Sequence, residues 1–226
     1  MSTALYEKNF KCPICNNSFS SKRVRVSSLR VDRRDEDFCT IYKSDNPMYY
    51  EILVCPKCGY ASSETNFDNL SLKELNTLKE VLSGKVVNRS FCGERTINDA
   101  LDSFKLALFI AKSRDAKDSV IAGLTLKLAW IYRELKDEKE LEFLRYTLEY
   151  YKNAYDKENF PIGNLDEISI QYLLGEISRR VNELNDAVFW LNKALTNPER
   201  KTNPRIEKMA REQWFIVKEQ HKAAAQ

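Results

Sequence analysis

The chain has 226 residues, 43% of them hydrophobic, and a formal net charge of only +3 at neutral pH. Those values allow one large domain or two small ones and exclude a polyelectrolyte that holds nucleic acid by its global field. No apolar run is long enough to cross a bilayer, and the opening Met1-Ser2-Thr3-Ala4-Leu5-Tyr6-Glu7-Lys8 lacks the apolar core of a signal peptide, so a cytoplasmic protein with reduced thiols is expected.

Residues 1–69 read as a β-rich module. Asn9-Phe10-Lys11 leads as a strand into Cys12-Pro13-Ile14-Cys15, and Tyr49-Tyr50-Glu51-Ile52-Leu53-Val54 leads as a second strand into Cys55-Pro56-Lys57-Cys58-Gly59. Each CxxC turn presents two sulfurs to one point, and its proline presets the backbone. Gly59, and Asn16 at the matching place, suit the positive φ that such turns require. Four thiolates, Cys12, Cys15, Cys55 and Cys58, make a closed tetrahedral donor set for one structural Zn²⁺, with no open position for water. The hooks are separated by the 39 residues 16–54, so loss of the ion should unfold the module. A thioredoxin-type redox pair is disfavoured, because each hook follows a strand rather than opening a helix. Cys39 and Cys92 are extra; burial as small apolar side chains competes with a place for Cys39 near the cluster, where it could exchange with a ligand on oxidation.

Between the hooks, Val24-Arg25-Val26 alternates as a further strand, Ser27-Ser28 interrupts it, and Asp45-Asn46-Pro47 signals a turn. This stretch holds Lys22, Arg23, Arg25, Arg30, Arg33 and Arg34, against one internal negative charge, Asp32. Two readings stand: an anion or nucleic-acid contact, or a solvated strand face whose arginines pair with Asp35, Glu36 and Asp37. The second is preferred, because that acidic run repels phosphate.

From residue 70 to 226 the period becomes helical. Ser71-Leu72-Lys73-Glu74 has the capping-box form, Leu75, Leu78 and Leu82 form a face, and Gly84 stops the helix. Stripes follow at Ala100–Ala111, Val120–Leu135, Leu141–Tyr155, Ile170–Leu184 and Val188–Leu195, and a seventh helix starts after Pro204. Short polar links between them predict antiparallel hairpins. Leu174-Gly175 followed by Ala187, Leu191 and Ala194 resembles a tetratricopeptide (TPR) unit, as do Ala100, Phe104 and Ala107, although Ser178 stands where an aromatic is expected and the unit spacing is irregular. The fold class is therefore α+β: a small zinc-ribbon-like module ahead of a TPR-like helical-hairpin domain. An irregular helical bundle is the alternative for the second part.

Catalytic chemistry finds little support. The single histidine, His221, lies in the tail, no glycine-rich phosphate loop occurs, and no H-x-E motif accompanies the cysteine pairs. Trp130, Trp190 and Trp214 fit helix packing. The expectation is a non-enzymatic adaptor that binds a protein partner through its helices and takes no small-molecule substrate; the alternative is a nucleic-acid-binding zinc protein using residues 22–34.

The whole chain resembles the bacterial family called domain of unknown function 2225. The resemblance rests on Leu5-Tyr6-Glu7-Lys8 with the first CPxC, Lys22-Arg23-Val24-Arg25, Asp37-Phe38-Cys39, Asn46-Pro47-Met48-Tyr49-Tyr50-Glu51, Val54-Cys55-Pro56-Lys57-Cys58-Gly59-Tyr60-Ala61 and Gly93-Glu94-Arg95-Thr96. It implies a cytoplasmic bacterial protein, zinc-ribbon-like at the front and TPR-like behind, with no assigned activity.

Overall fold

A computed structural model describes residues 4–85 and 87–224. The class is α+β, with antiparallel hairpins at the front and helices behind. β1 (Leu5–Lys11) pairs with β2 (Ser18–Val24), β3 (Val31–Arg34) with β4 (Thr40–Tyr42), and β5 (Ile52–Val54) with β6 (Ala61–Ser63). The helices are α1 (Leu72–Val81), α2 (Ile97–Ser113), α3 (Asp118–Leu135), α4 (Lys139–Lys157), α5 (Glu167–Arg180), α6 (Leu184–Thr196) and α7 (Pro204–Ala224).

Local chemistry sets the helix ends. Ser71 and Glu74 form the expected reciprocal cap on α1, Thr96 and Asp99 form another on α2, and Asp166 caps α5. Gly84 adopts φ +69° just past α1. Two strand expectations are corrected. β2 ends at Val24, and Val26–Ser28 is a single 3-10 turn that leaves Val26 82% exposed. Tyr49 and Tyr50 lie not in a strand but in the 3-10 turn Pro47–Tyr50, because the Asn46 side chain accepts from Met48 N–H at 3.1 Å and Pro47 fits a first helical turn.

The chain divides into two compact units, and the boundary does not follow the change of period at residue 70. The first unit runs up to Arg34 and includes Thr40–Ala116 and Trp130–Asp137. α1 and α2 thus belong with the strands: α2 packs on β5 and β6, and Ala100, Phe104, Ala107 and Ile110 are among its buried residues. β5 is buried at all three positions. Phe10, Phe19, Tyr60 and Phe67 form an aromatic cluster with ring centroids 5.0–6.3 Å apart.

The second unit comprises Asp35–Cys39, Lys117–Ala129 and the chain from Glu138 onward. Its core gathers Ile168, Tyr172, Ala187, Leu191, Ala194, Ile206, Ala210 and Val217 from α5, α6 and α7. α5 is buried along nearly its whole length, which a one-sided stripe did not predict. Phe38 lies against Tyr172 at 5.5 Å between ring centroids, and the Tyr172 hydroxyl donates to the Glu36 carbonyl at 2.8 Å.

Candidate metal centre

Each cysteine pair sits at the tip of a hairpin. β1 carries the chain into the first hook and β2 leads it out; β5 and β6 do the same for the second. The turns are built alike. Cys12 N–H donates to Asn17 C=O at 2.9 Å and Asn16 N–H to Cys12 C=O at 2.9 Å. Cys55 N–H donates to Tyr60 C=O at 2.8 Å and Gly59 N–H to Cys55 C=O at 3.0 Å. Asn16 and Gly59 close the turns at φ 58° and 75°. A β-carbon on Gly59 would also stand 3.2 Å from Val87 Cγ2.

This geometry turns main-chain amides onto the sulfurs. Cys15 and Ile14 amides bond Cys12, Cys58 and Lys57 amides bond Cys55, and the Tyr60 amide bonds Cys58. Such donors stabilise thiolate charge and fix its direction.

All four sulfurs lie within 4.8 Å of one another. Cys12 Sγ is 3.6 Å from Cys58 Sγ, and Cys15 Sγ is 3.6 Å from Cys55 Sγ. A cation bound tetrahedrally at about 2.3 Å from each sulfur spaces them about 3.8 Å apart. The residues therefore fit a metal ion, and none of the six cysteines is in a disulfide. Cys12 and Cys55 are fully buried, while Cys15 and Cys58 are half-buried. Without a cation the sulfurs must share protons. Hydrogen bonds with Cys12 and Cys58 push the Cys55 thiol down to about 2, and those with Cys55 and Cys58 push Cys12 up. A divalent ion replaces those protons.

Cys39 and Cys92 stand outside the four-sulfur group; Cys39 is buried and Cys92 half-buried. A cleft of about 530 Å³ opens beside the first hook, lined in part by Lys8, Lys11, Pro13, Asn16, Glu64 and Asp68.

The basic residues do not act as one group. Arg23 donates to the Tyr50 carbonyl and to Glu64, which also holds Lys8. Burial raises the Glu64 carboxyl, but hydrogen bonds from Lys8 and Arg23 outweigh it and hold the group below its ordinary 4.5. Lys22 lies 3.9 Å from Glu94, and Arg25 sits over the Tyr6 ring at 5.1 Å. Arg30 donates to the Ser27 and Leu29 carbonyls, Arg33 lies 3.8 Å from Asp32, and Arg34 is exposed. Two carboxylates of the downstream acidic run meet an arginine of α5. Glu36 and Asp37 lie 3.6 and 3.8 Å from Arg180 on α5.

Sequence reasoning missed Arg95. The residue is 7% exposed, and its guanidinium donates to the Phe91, Tyr49 and Ile52 carbonyls at 2.8, 3.0 and 2.8 Å, while its amide donates to Tyr50 Oη at 3.2 Å. It thereby fixes the turn that feeds β5 and the second hook. Burial lowers its pKa to about 10. Gly93-Glu94-Arg95-Thr96 was the available signal, but nothing local shows that Arg95 turns inward.

No helix among the described residues is long and apolar enough to cross a membrane. An uncharacterized protein of Borreliella burgdorferi is 24% identical over 173 residues, covering 66% of this chain. The chain spans 61% of that relative's length. No solved structure matches. Over residues 5–217 the sequence matches the family described as "Uncharacterized protein conserved in bacteria (DUF2225)", and the chain therefore belongs to that bacterial family.

Proposed function

We propose that the chain is a zinc-binding adaptor of the bacterial cytoplasm, without catalytic activity, that binds a protein partner through TPR-like helices. The four-sulfur cluster supports the zinc part. An all-thiolate tetrahedron is the donor set of structural Zn²⁺, and a reducing compartment keeps such thiols available. When bound, the ion supplies a crosslink between two hairpins; Cys12, Cys15, Cys55 and Cys58 hold it, and the hook amides moderate the charge. Zinc is then a folding element rather than a reaction centre.

One observation carries the partner part. Phe189 on α6 and Phe215 on α7 are 57% and 59% exposed, and Ile216 beside Phe215 is 44% exposed. These exposed apolar side chains are the surface assigned to a partner in this reading, since apolar area clustered on a surface marks interaction sites. The close α5–α6 approach at Gly175 and Leu191 supports the TPR-like reading.

The test is quantitative capture of partners by tagged protein, compared with Phe189→Asp and Phe215→Asp. The reading expects a defined partner whose recovery falls at least about tenfold in one of the variants. Unchanged recovery in both, or turnover of a metabolite by the purified protein, contradicts it. The nucleic-acid alternative retains Arg25, Arg30, Arg33 and Arg34 as exposed cations, but Arg23 is committed to Glu64 and the Tyr50 carbonyl. Salt-sensitive retention on heparin, lost on Arg33→Glu with Arg34→Glu, would favour it.

A further inference from the structure

β1 has one edge to spare. Arg25 N–H donates to Ala4 C=O at 2.7 Å and Cys12 N–H to Asn17 C=O at 2.9 Å, so the even-numbered residues of the strand turn their backbone groups toward β2. Leu5, Glu7, Asn9 and Lys11 turn theirs the other way. Among the described residues no strand pairs with that edge, because β1 and β2 form a two-stranded sheet. Glu7, Asn9 and Lys11 are exposed.

The charges on this edge are unusual. Lys8 is held by Glu64. Glu7 faces Lys22 across the hairpin, yet Lys22 makes its ion pair with Glu94. Among the described residues neither Glu7 nor Lys11 has an ion-pair partner. Two opposite, unpaired charges thus stand four residues apart on one strand face, with Asn9 midway.

We propose that β1 joins the same edge of a second copy of this chain, antiparallel about Asn9, to form a symmetric dimer with a continuous four-stranded sheet. Glu7 then lies opposite the partner's Lys11, Lys11 opposite the partner's Glu7, and Asn9 opposite its own image. Each facing pair exchanges two main-chain hydrogen bonds, about six in all. Registers centred on Glu7 or Lys11 set like charges against each other, and those centred on Lys8 or Phe10 set Glu7 and Lys11 opposite uncharged residues, so only the Asn9 register pairs both charges. The contact is isologous, as two-fold dimers require. It stands apart from the helical surface and from the identity of the metal.

Sedimentation equilibrium of the metal-loaded full chain up to about 500 µM tests this, since an edge this short makes a weak, concentration-dependent dimer. Asn9→Pro removes an outward N–H without touching the β2 ladder, and it should abolish association while metal content stays that of the wild type. Lys11→Glu should weaken association at least tenfold, and Glu7→Lys with Lys11→Glu should restore it. A chain that stays monomeric throughout overturns the proposal. So does a dimer indifferent to Asn9→Pro, or a charge-swapped double variant no better than Lys11→Glu alone. If Asn9→Pro fails to fold, the charge swap decides by itself.

Discussion

Gly175 on α5 faces Leu191 on α6 with no room for a side chain: a β-carbon added to Gly175 would lie 2.6 Å from Leu191 Cγ and 3.1 Å from Leu191 N. Alanine normally favours a helix over glycine by about 1 kcal/mol. Here the contact with backbone nitrogen outweighs that gain. Gly175→Ala should lower unfolding free energy by about 1–3 kcal/mol in denaturant titration, and the same change at exposed Gly84, where nothing lies within 4 Å, should act only through its φ of +69°.

Arg95 ties together three stretches of the strand-bearing unit. Removing it orphans the Phe91, Tyr49 and Ile52 carbonyls, all of which it meets at 2.8–3.0 Å. Arg95→Ala should cost about 3 kcal/mol and loosen the second hook, seen as weaker metal retention against a chelator. Arg95→Lys should recover only part of this, since one ammonium cannot span three carbonyls in a plane.

Glu64 gives the protein a defined acid response. Its folded pKa is depressed, so its stabilisation is fully present above the ordinary 4.5 and fades as pH falls through the lower folded value. Glu64→Gln should therefore be less stable by about 1 kcal/mol at neutral pH, a figure reduced for a side chain one-third exposed. The gap between the two proteins should close below pH 4.5 in paired urea titrations.

Much of this molecule is written locally. Ser71-Leu72-Lys73-Glu74, Thr96 and Pro204 carry their helix ends in a few residues, and the hooks carry their turn geometry in Pro13, Asn16, Pro56 and Gly59. What sequence could not reveal depends on distant partners. Arg23 reaches Glu64 and Arg95 reaches Tyr49 and Ile52, each across more than 40 residues. Asp37 lies 3.8 Å from Arg180 on α5, a partner that no local pattern names. Leu141 matched a helical stripe and yet is 44% exposed, since periodicity marks a face and not what covers it.

The cysteines themselves should separate into two classes. Cys12→Ser and Cys55→Ser remove fully buried sulfurs of the cluster and should abolish stable metal binding and the folded strand-bearing unit together. Cys39→Ser and Cys92→Ser lie outside the cluster and should leave the metal content unchanged.

Native mass spectrometry of anaerobically purified protein, supported by elemental analysis, tests the central claim most directly. The account predicts one zinc ion per chain, released as pH falls because protons compete for the four thiolates, with loss of the strand signals on release. A folded protein that carries no metal, with the sulfurs of Cys12, Cys15, Cys55 and Cys58 all reactive to alkylation at the rate of free thiols, contradicts it.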